Sequence, residues 1–151
     1  MSKKVWGPIT WRFLHTMCAK IRPEYFEVQR ENIIQLIRNV CETLPCPECR
    51  AHAVSNMKRA NTNYIVSKDR LIDFMYEFHN MVNSQTKKQK FPREILQQYE
   101  EAKTIDVINQ FAEAYSKSVG SNKLMTDTFH RRRFLGWLKH YVMNNGGCFS
   151  A

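Results

Sequence analysis

Apolar residues recur along this chain at intervals of three and four residues, the spacing that places side chains on one face of an α-helix. The stretch from Val28 to Leu44 is one such stripe, and comparable stripes follow along the chain. No run alternates with period two, and no Asn-Gly or Asp-Gly pair separates two apolar runs, so β-hairpins are not indicated. The pattern predicts an all-α fold with helices over about 8–20, 27–43, 47–59, 67–86, 92–102, 104–118 and 122–143.

The length of 151 residues suits one folded domain, or one domain with an appendage. No stretch approaches the run of about 18 apolar residues that a membrane-spanning helix needs. The N-terminal residues contain no hydrophobic block, so no secretory signal is indicated. We therefore expect a cytoplasmic protein without a membrane span.

The formal net charge of +9 raises the question of nucleic-acid binding. The densest basic run, His130 to Arg133, lies in the last predicted helix, with Lys123 and Lys139 near it. A charge run is more often a solvated helix face, and no nucleic-acid motif accompanies this one. We do not expect nucleic acid as a partner, while attraction to acidic surfaces stays open.

A Cys-x-x-Cys motif stands where two predicted helices meet, in the run L-P-C-P-E-C at residues 44–49. Pro45 should end the preceding helix, because the residue before a proline is disfavoured in the α region. Pro47 suits the first turn of the next helix, where its missing N–H is not needed. Cys46 is then expected at the helix N-terminus and Cys49 one turn inside, where the helix dipole favours the thiolate and lowers its pKa. Such a pair can form an exchangeable disulfide or bind a metal.

Polar and aromatic side chains recur at helical spacing in two other predicted helices. Trp11 and His15 lie four residues apart in the first helix and therefore share a face. His79 and Asn83 have the same spacing in the fourth helix. Taken singly, each is more often a core or surface residue than a ligand-binding one. Together they suit a flat heteroaromatic ligand that stacks on rings and is hydrogen-bonded at its edges.

Three motifs in a fixed order give the chain its resemblance to a known family. They are W-G-P-x-x-W-x-x-L-H from Trp6, C-P-E-C-x-x-H from Cys46, and F-H-N-x-V-N from Phe78, with a lysine and an aromatic residue downstream. The chain resembles the Erv/ALR flavin-linked sulfhydryl oxidases, and its compact form is similar to those encoded by large cytoplasmic DNA viruses. The resemblance covers roughly residues 5–100.

The resemblance implies a flavin-binding bundle of four to five helices, usually a homodimer, that holds FAD without a covalent bond. Cys46 and Cys49 would form the catalytic disulfide, with Cys46 exchanging with the incoming dithiol and Cys49 next to the isoalloxazine. Lys88 would face the pyrophosphate or adenine part. The positions that match cofactor contacts in the family are Gly7, Trp11, His15, Cys49, His52, His79, Asn80, Val82, Asn83, Lys88 and Tyr99.

The reaction implied by the resemblance is oxidation of thiols in a protein substrate to a disulfide, directly or through a thioredoxin-like intermediary. Electrons would pass through the Cys-x-x-Cys pair to FAD and then to O2, giving hydrogen peroxide. The implied setting is the host cytoplasm, at a viral assembly site or in the virion.

The same cysteines also suit a different class of protein, a structural or interaction module that binds zinc. Cys41, Cys46, Cys49 and His52 provide four ligands for a tetrahedral site. However, Cys41 falls on the apolar stripe of a helix that the next proline must end, which leaves a tight path to a shared metal. Zinc also leaves the first and third motifs unexplained. We expect no metal, and we expect Cys18 and Cys41 to be buried thiols.

Residues 104–151 lie beyond the reach of the resemblance, which divides the chain into an FAD-binding domain over 1–103 and a helical C-terminal extension. The last predicted helix carries a stripe too apolar for a free helix in water, so it should dock on the bundle or across a dimer. That stripe consists of Leu124, Phe129, Phe134, Leu135, Leu138, Tyr141 and Val142.

Cys148 lies outside the predicted bundle, after two glycines near the C-terminus. Many members of the family carry a second Cys-x-x-Cys in a flexible arm, and this chain has none. We expect the tail after Asn144 to be mobile, which makes Cys148 a candidate shuttle to Cys46 of its own or a partner subunit. A single thiol cannot store a disulfide, so the shuttle would need a second thiol.

Overall fold

The structure, a computed structural model, describes residues 2–117 and 125–151. Its helices are α1 (Lys3–Lys20), α2 (Phe26–Thr43), α3 (Pro47–Arg59), α4 (Lys68–Gln85), α5 (Gln97–Glu101), α6 (Thr104–Lys117) and α7 (Met125–Asn145). Within these two ranges the only β-type pairing is a single bridge between Ile21 and Phe149. The all-α prediction is confirmed. None of the described helices is long and apolar enough to cross a bilayer.

Helix α1 is the centre of the fold. It packs against α4, α5 and α6, while α2 packs against α3 and α7. Every residue from Phe13 to Cys18 is buried, so α1 is covered on all sides along this stretch. Its polar residues must therefore find partners inside the protein, and Thr10 does so by donating its hydroxyl to the Trp6 carbonyl at 2.7 Å.

The first helix begins five residues earlier than the sequence predicts, because Pro8 lies inside it rather than at its start. Pro8 is the sixth residue of α1, so its missing N–H removes the hydrogen bond that a helix would make to the Lys4 carbonyl. Trp6 compensates through burial, since only 5% of its surface is exposed. The backbone N–H groups of Val5 and Trp6 both donate to the Ser2 carbonyl, at 2.9 and 3.1 Å.

The junction between α2 and α3 follows the sequence prediction. Leu44, the residue before Pro45, leaves the helical region with φ −53° and ψ 140°. Pro47 is the first residue of α3, and Cys46 is its N-cap. The two prolines thus place both cysteines of the motif at a helix N-terminus.

Helix α6 is part of the same core as the preceding bundle. The Phe111 ring stacks on Phe13 of α1, with centroids 4.0 Å apart and planes at 8°. Tyr115 is fully buried and donates its hydroxyl to the Val40 carbonyl of α2 at 3.3 Å. Burial also raises the pKa of Tyr115. The C-terminal residues therefore dock within their own chain.

Helix α7 packs on α2 through part of the predicted stripe. Its inward side chains are the buried Phe134, Leu138 and Tyr141 and the partly buried Leu135 and Val142. Phe129 is instead 60% exposed, so it does not dock on the bundle of its own chain, and its docking across a dimer stays a prediction. The predicted contribution of Leu124, and the predicted break between the helices over 104–118 and 122–143, lie outside the described residues.

The basic run His130 to Arg133 is divided between interior and surface. Arg131 is only 3% exposed, whereas its neighbours on either side face solvent. A helix necessarily divides four consecutive residues in this way, because they point around its whole circumference. The run therefore does not form one continuous basic face.

The predicted mobile tail is instead folded onto α1. After a 3-10 turn over Gly146–Cys148, Phe149 is buried to 7% exposure and pairs with Ile21. The Ser150 N–H donates to the Lys20 carbonyl at 2.7 Å, and the Arg22 N–H donates to the Cys148 carbonyl at 2.8 Å. The two glycines suggested a flexible segment, but the buried aromatic ring that follows them anchors it.

This folded tail places Cys148 far from the Cys-x-x-Cys motif. The Gln29 amide nitrogen lies 3.7 Å from Cys148 Sγ, near the beginning of α2. Cys46 follows the other end of α2, and the helix from Gln29 to Thr43 is about 21 Å long. Within one chain, a relay from Cys148 to Cys46 would require the tail to detach. Exchange with a partner subunit stays a prediction.

Replacing Phe111 with alanine should destabilise the whole bundle, because the ring is fully buried against α1. We expect the free energy of unfolding to fall by about 3–5 kcal/mol, the usual cost of such a cavity. The matched control is Ile105→Ala, also in α6 but 57% exposed, which should cost no more than about 0.5 kcal/mol. Urea denaturation measures both. Equal effects of the two substitutions would contradict a shared core.

Candidate active site

Five aromatic rings from α1, α4, α5 and the segment before α5 form a cluster at the core of the bundle. Trp11 stacks on His79, with centroids 3.8 Å apart and planes at 10°. His15 stacks on Tyr99 at 4.5 Å and 6°. Phe91 meets the His79 ring edge-on at 4.7 Å. The structure thus brings together four residues that the sequence assigned to one site, and it adds Phe91.

The two histidines of this ring cluster contact each other directly. His15 Nε2 lies 2.9 Å from His79 Nδ1, a hydrogen bond in which one ring donates and the other accepts. Burial, with a smaller contribution from His79, lowers the pKa of His15 to about 3. Burial and the positive charge of Lys88 lower the pKa of His79 to about 4. Both rings are therefore neutral at physiological pH and can accept as well as donate hydrogen bonds.

The two asparagines of the third motif have different surroundings. Asn83 is 4% exposed, and its amide nitrogen Nδ2 is buried with no hydrogen-bond partner. Asn80 is fully engaged by the Phe91 backbone, donating to the carbonyl at 3.2 Å and accepting from the N–H at 2.9 Å. Asn80 thus holds Phe91 beside His79, whereas Asn83 has an unused donor in the interior.

The end of α4 turns back toward Asn83. Lys87 adopts φ 59°, the left-handed conformation that commonly ends a helix. The next N–H, that of Lys88, donates to the Asn83 carbonyl at 2.7 Å. The Lys88 side chain is exposed, yet its charge acts on His79, so a cation stands at the rim of the ring cluster.

The cysteines of the Cys-x-x-Cys motif are partly buried free thiols at the start of α3. Cys46 Sγ accepts a hydrogen bond from the Cys49 N–H at 3.2 Å, which makes its sulfur the side-chain cap of the helix. Burial and the Cys46 thiol raise the pKa of Cys49, while the Lys3 ammonium opposes that rise. The pKa of Cys49 is therefore raised, not lowered as its helix position led us to expect, because burial and the second thiol disfavour its ionisation.

One side of α1 carries both a residue that acts on the thiol pair and two residues of the ring cluster. The residues along this stripe are spaced four apart and therefore share approximately one side of the helix: Lys3, Gly7, Trp11 and His15. Lys3 acts on Cys49 at one end, and the rings begin about 12 Å further along the axis. A Cβ built at Gly7 would meet nothing nearer than Lys3 Cγ at 3.9 Å, so the stripe is open between its ends.

Two residues predicted to contact the cofactor, His52 and Val82, are not among the rings and hydrogen bonds described above. His52 is exposed on α3, one turn after Cys49, and Val82 is half-buried on α4. Val82 packs against the hydrophobic core, and neither residue stacks on or hydrogen-bonds to the rings described above. Their roles remain predictions.

The zinc alternative receives no support. Throughout residues 2–117 and 125–151, no group of three or more His, Cys, Asp or Glu side chains is arranged to hold a metal ion. Cys41 is 3% exposed in the core, and burial raises its pKa to about 12, as it does for Cys18. Both are therefore buried, protonated thiols, as the apolar stripes predicted.

Sequence reasoning missed three residues that shape the site. Phe91 carries no motif signal, although the proline after it indicates an extended segment that can lie against a helix. Lys3 could not be found because α1 was expected to begin after it. Arg50 directly follows Cys49 and donates to the Leu44 carbonyl and to Asp127 of α7, a contact that periodicity does not reveal.

Comparison with known proteins agrees with the motifs. The profile described as the Erv1 / Alr family matches residues 8–104. The chain is 33% identical over 101 residues to a protein of Invertebrate iridescent virus 3 that is named as a candidate FAD-linked sulfhydryl oxidase. That match covers 66% of this chain and 68% of the relative. No solved structure matches the chain significantly.

Two further relatives carry the same name. The chain is 35% identical to an FAD-linked sulfhydryl oxidase of African swine fever virus, over 55% of this chain and 69% of the relative. It is 29% identical to FAD-linked sulfhydryl oxidase ERV1 of Arabidopsis thaliana, over 62% of this chain. The chain spans only about half the length of that plant relative, 49%.

The buried histidine pair should make the protein sensitive to acid. Because the folded state holds His15 neutral, its contribution to stability is complete above pH 6.5 and is lost as the pH falls toward its folded-state pKa of about 3. We expect a loss on the order of 3 kcal/mol by about pH 4 from His15 alone. Urea denaturation across this range should show a shallower decline for His15→Gln than for the unmodified protein. His130→Gln, an exposed control, should decline in parallel with the unmodified protein. Parallel curves for all three would exclude a buried neutral His15.

Proposed function

Because the chain belongs to the Erv1/Alr family, as its three motifs indicated, we propose that it is an FAD-dependent thiol oxidase that forms disulfide bonds in protein substrates. The observation that supports the proposal is the α1 stripe, on which Lys3 acts on Cys49 of α3 and, two turns later, Trp11 and His15 belong to the ring cluster. One helix thus carries both a cation that acts on the redox-active thiol pair and two rings of the place for a flat cofactor.

The residues at the ring cluster fit FAD. The unpartnered Nδ2 of Asn83 is a buried donor without an acceptor, and ring nitrogens and carbonyls of a flavin provide acceptors. Trp11 is only half-buried, and the ring face that does not stack on His79 can stack on a flat ring. The neutral His15 and His79 can hydrogen-bond at its edge, and Lys88 supplies a cation for the phosphates. Asn80 would act indirectly, by holding Phe91.

The chemistry that FAD supplies when bound is to accept two electrons and two protons from a dithiol and to pass them to O2, which leaves as hydrogen peroxide. The protein contributes the thiols and their positions. Trp11, His15, His79 and Asn83 would hold the cofactor.

The exchange reaction takes place at the two cysteines in their disulfide form. A substrate thiolate attacks Cys46 Sγ, the Cys46–Cys49 bond breaks, and Cys49 leaves as a thiolate. The second substrate thiol then attacks the mixed disulfide, which releases the oxidised substrate and leaves both cysteines reduced. At the first step the Lys3 ammonium favours the charged form of Cys49.

The partners of the reaction follow from this proposal. The thiol donor is a protein substrate or a thioredoxin-like intermediary, the acceptor is O2, and the active form is a homodimer. Viral relatives support a role in the host cytoplasm during virus assembly. We also propose that residues 1–103 hold the cofactor and that 104–151 form an extension of the domain.

Removing either cysteine of the motif should abolish O2 consumption with dithiothreitol, because exchange needs both an attacked sulfur and a leaving sulfur. We expect Cys46→Ser and Cys49→Ser to retain bound FAD, which an oxygen electrode and the visible spectrum report together. Cys148→Ser is the matched control, and it should oxidise dithiothreitol normally because its thiol lies at the other end of α2. Full turnover by either motif variant would overturn the assignment of the redox pair.

Asn83→Ala should weaken FAD binding without harming the apoprotein. The lost partner should cost about 1–3 kcal/mol of binding, which is roughly 5- to 150-fold in affinity. The apoprotein loses a buried donor that had no partner, so its free energy of unfolding should stay constant or rise.

Asn109→Ala, at an exposed position of α6, is the control for this substitution and should change neither quantity. Fluorescence titration of the apoprotein with FAD and urea denaturation provide the two measurements. An Asn83→Ala protein with unchanged FAD affinity would show that this amide does not hold the cofactor.

A further inference from the structure

Arg50 connects the Cys-x-x-Cys turn to the C-terminal helix. Its Nη1 donates to the Leu44 carbonyl at 2.9 Å, and its Nη2 pairs with Asp127 Oδ2 of α7 at 3.2 Å. The side chains of Arg50 and Asp127 are only 19% and 22% exposed, so this ion pair is shielded from solvent more than an ordinary surface pair. The guanidinium has a planar fork of donors that can serve both acceptors at once.

The Leu44 carbonyl is a group that needs such a donor. It lies just beyond the last residue of α2, where helix carbonyls lose their intrahelical partners, and the following residue is a proline. The bond from Arg50 closes the segment between residues 44 and 50, which contains both cysteines. It therefore restrains the turn in which Cys46 Sγ receives the Cys49 N–H.

Asp127 is well placed to hold Arg50. It lies in the first turn of α7, where a carboxylate is favoured by the helix dipole. It also acts on Arg131, which is 3% exposed: burial lowers the pKa of Arg131, and Asp127 opposes that effect. The Asp127 carboxylate thus acts on two guanidinium groups, and one of them, that of Arg50, donates to the turn over residues 44–50.

We propose that Asp127 is a positioning residue for the redox pair, and that it acts through Arg50 to keep Cys46 Sγ on the Cys49 N–H. The proposal rests on the proposed function only in taking Cys46 as the reactive sulfur. Asp127 lies outside residues 8–104, the part of the chain that matches the family. The extension would then belong to the active site rather than only to the core.

The alkylation rate of Cys46 in the reduced protein tests this proposal. An N–H that donates to sulfur favours the thiolate, which is the species that iodoacetamide alkylates. The rate at pH 7 is divided by the rate at about pH 10, where thiols are ionised, so that changes in access cancel. Mass spectrometry assigns the label to Cys46. The assay needs neither FAD nor O2, so a failure of the proposed oxidase activity would leave this result standing, and the reverse also holds.

The variants separate position from charge. Arg50→Met removes a cation and Asp127→Ala removes an anion, so a purely electrostatic influence on Cys46 would change the rate ratio in opposite directions. If Asp127 and Arg50 instead restrain the turn, both substitutions remove that restraint and change the rate ratio in the same direction. We expect each variant to lower the ratio about threefold or more, and the double variant to be no lower than Arg50→Met.

Asp106→Ala is the matched control, because Asp106 is an exposed acidic residue in the first turn of α6. It should leave the ratio unchanged. If Asp127→Ala does not fold, Asp127→Asn should lower the ratio less but in the same direction. An unchanged or raised ratio for the Asp127 variant overturns the proposal. Independent, multiplying effects in the double variant would also overturn it, because Asp127 would then not act through Arg50.

Discussion

The middle of α1, from Phe13 to Cys18, is buried on all sides, and much of the surrounding structure follows from that enclosure. Polar side chains of a helix so enclosed must find hydrogen-bond partners inside the protein, and two of them link α1 to its neighbours. His15 Nε2 forms a hydrogen bond of 2.9 Å with His79 Nδ1 of α4. Lys20 is 7% exposed and donates to the Glu100 and Ala151 carbonyls at 2.6 and 2.9 Å. One end of the helix thereby anchors the tail, while its middle forms the interior of the candidate site.

Several opposing influences set the pKa of Cys49 in the turn over residues 44–50. The helix N-terminus favours thiolates, but burial and the second thiol raise the pKa of Cys49 despite it. The Lys3 ammonium of α1 opposes that rise, and Arg50, paired with Asp127 of α7, donates to the Leu44 carbonyl of the same turn. Groups distant in sequence therefore act on this turn together with the residues of the motif.

The sequence was sufficient for the features that depend on local rules. Apolar periodicity and the prolines at 45 and 47 gave the helices and the position of Cys46, because these effects act within a few residues. The motifs identified the ring cluster, since family resemblance records long-range contacts that periodicity cannot. The folded tail was not predictable, because the burial of Phe149 against α1 outweighs the flexibility of the glycines before it. The raised pKa of Cys49 likewise depends on burial, which a motif does not specify.

The visible spectrum of the purified protein is the most direct test of thiol oxidation through a bound flavin. We expect flavin absorption bands that bleach when dithiothreitol is added without oxygen and that return, with hydrogen peroxide, when air is admitted. The bleaching shows electron transfer from thiols to the cofactor, and the recovery shows transfer to O2. A protein that remains colourless after incubation with FAD, or whose bands do not respond to dithiothreitol, would contradict the account.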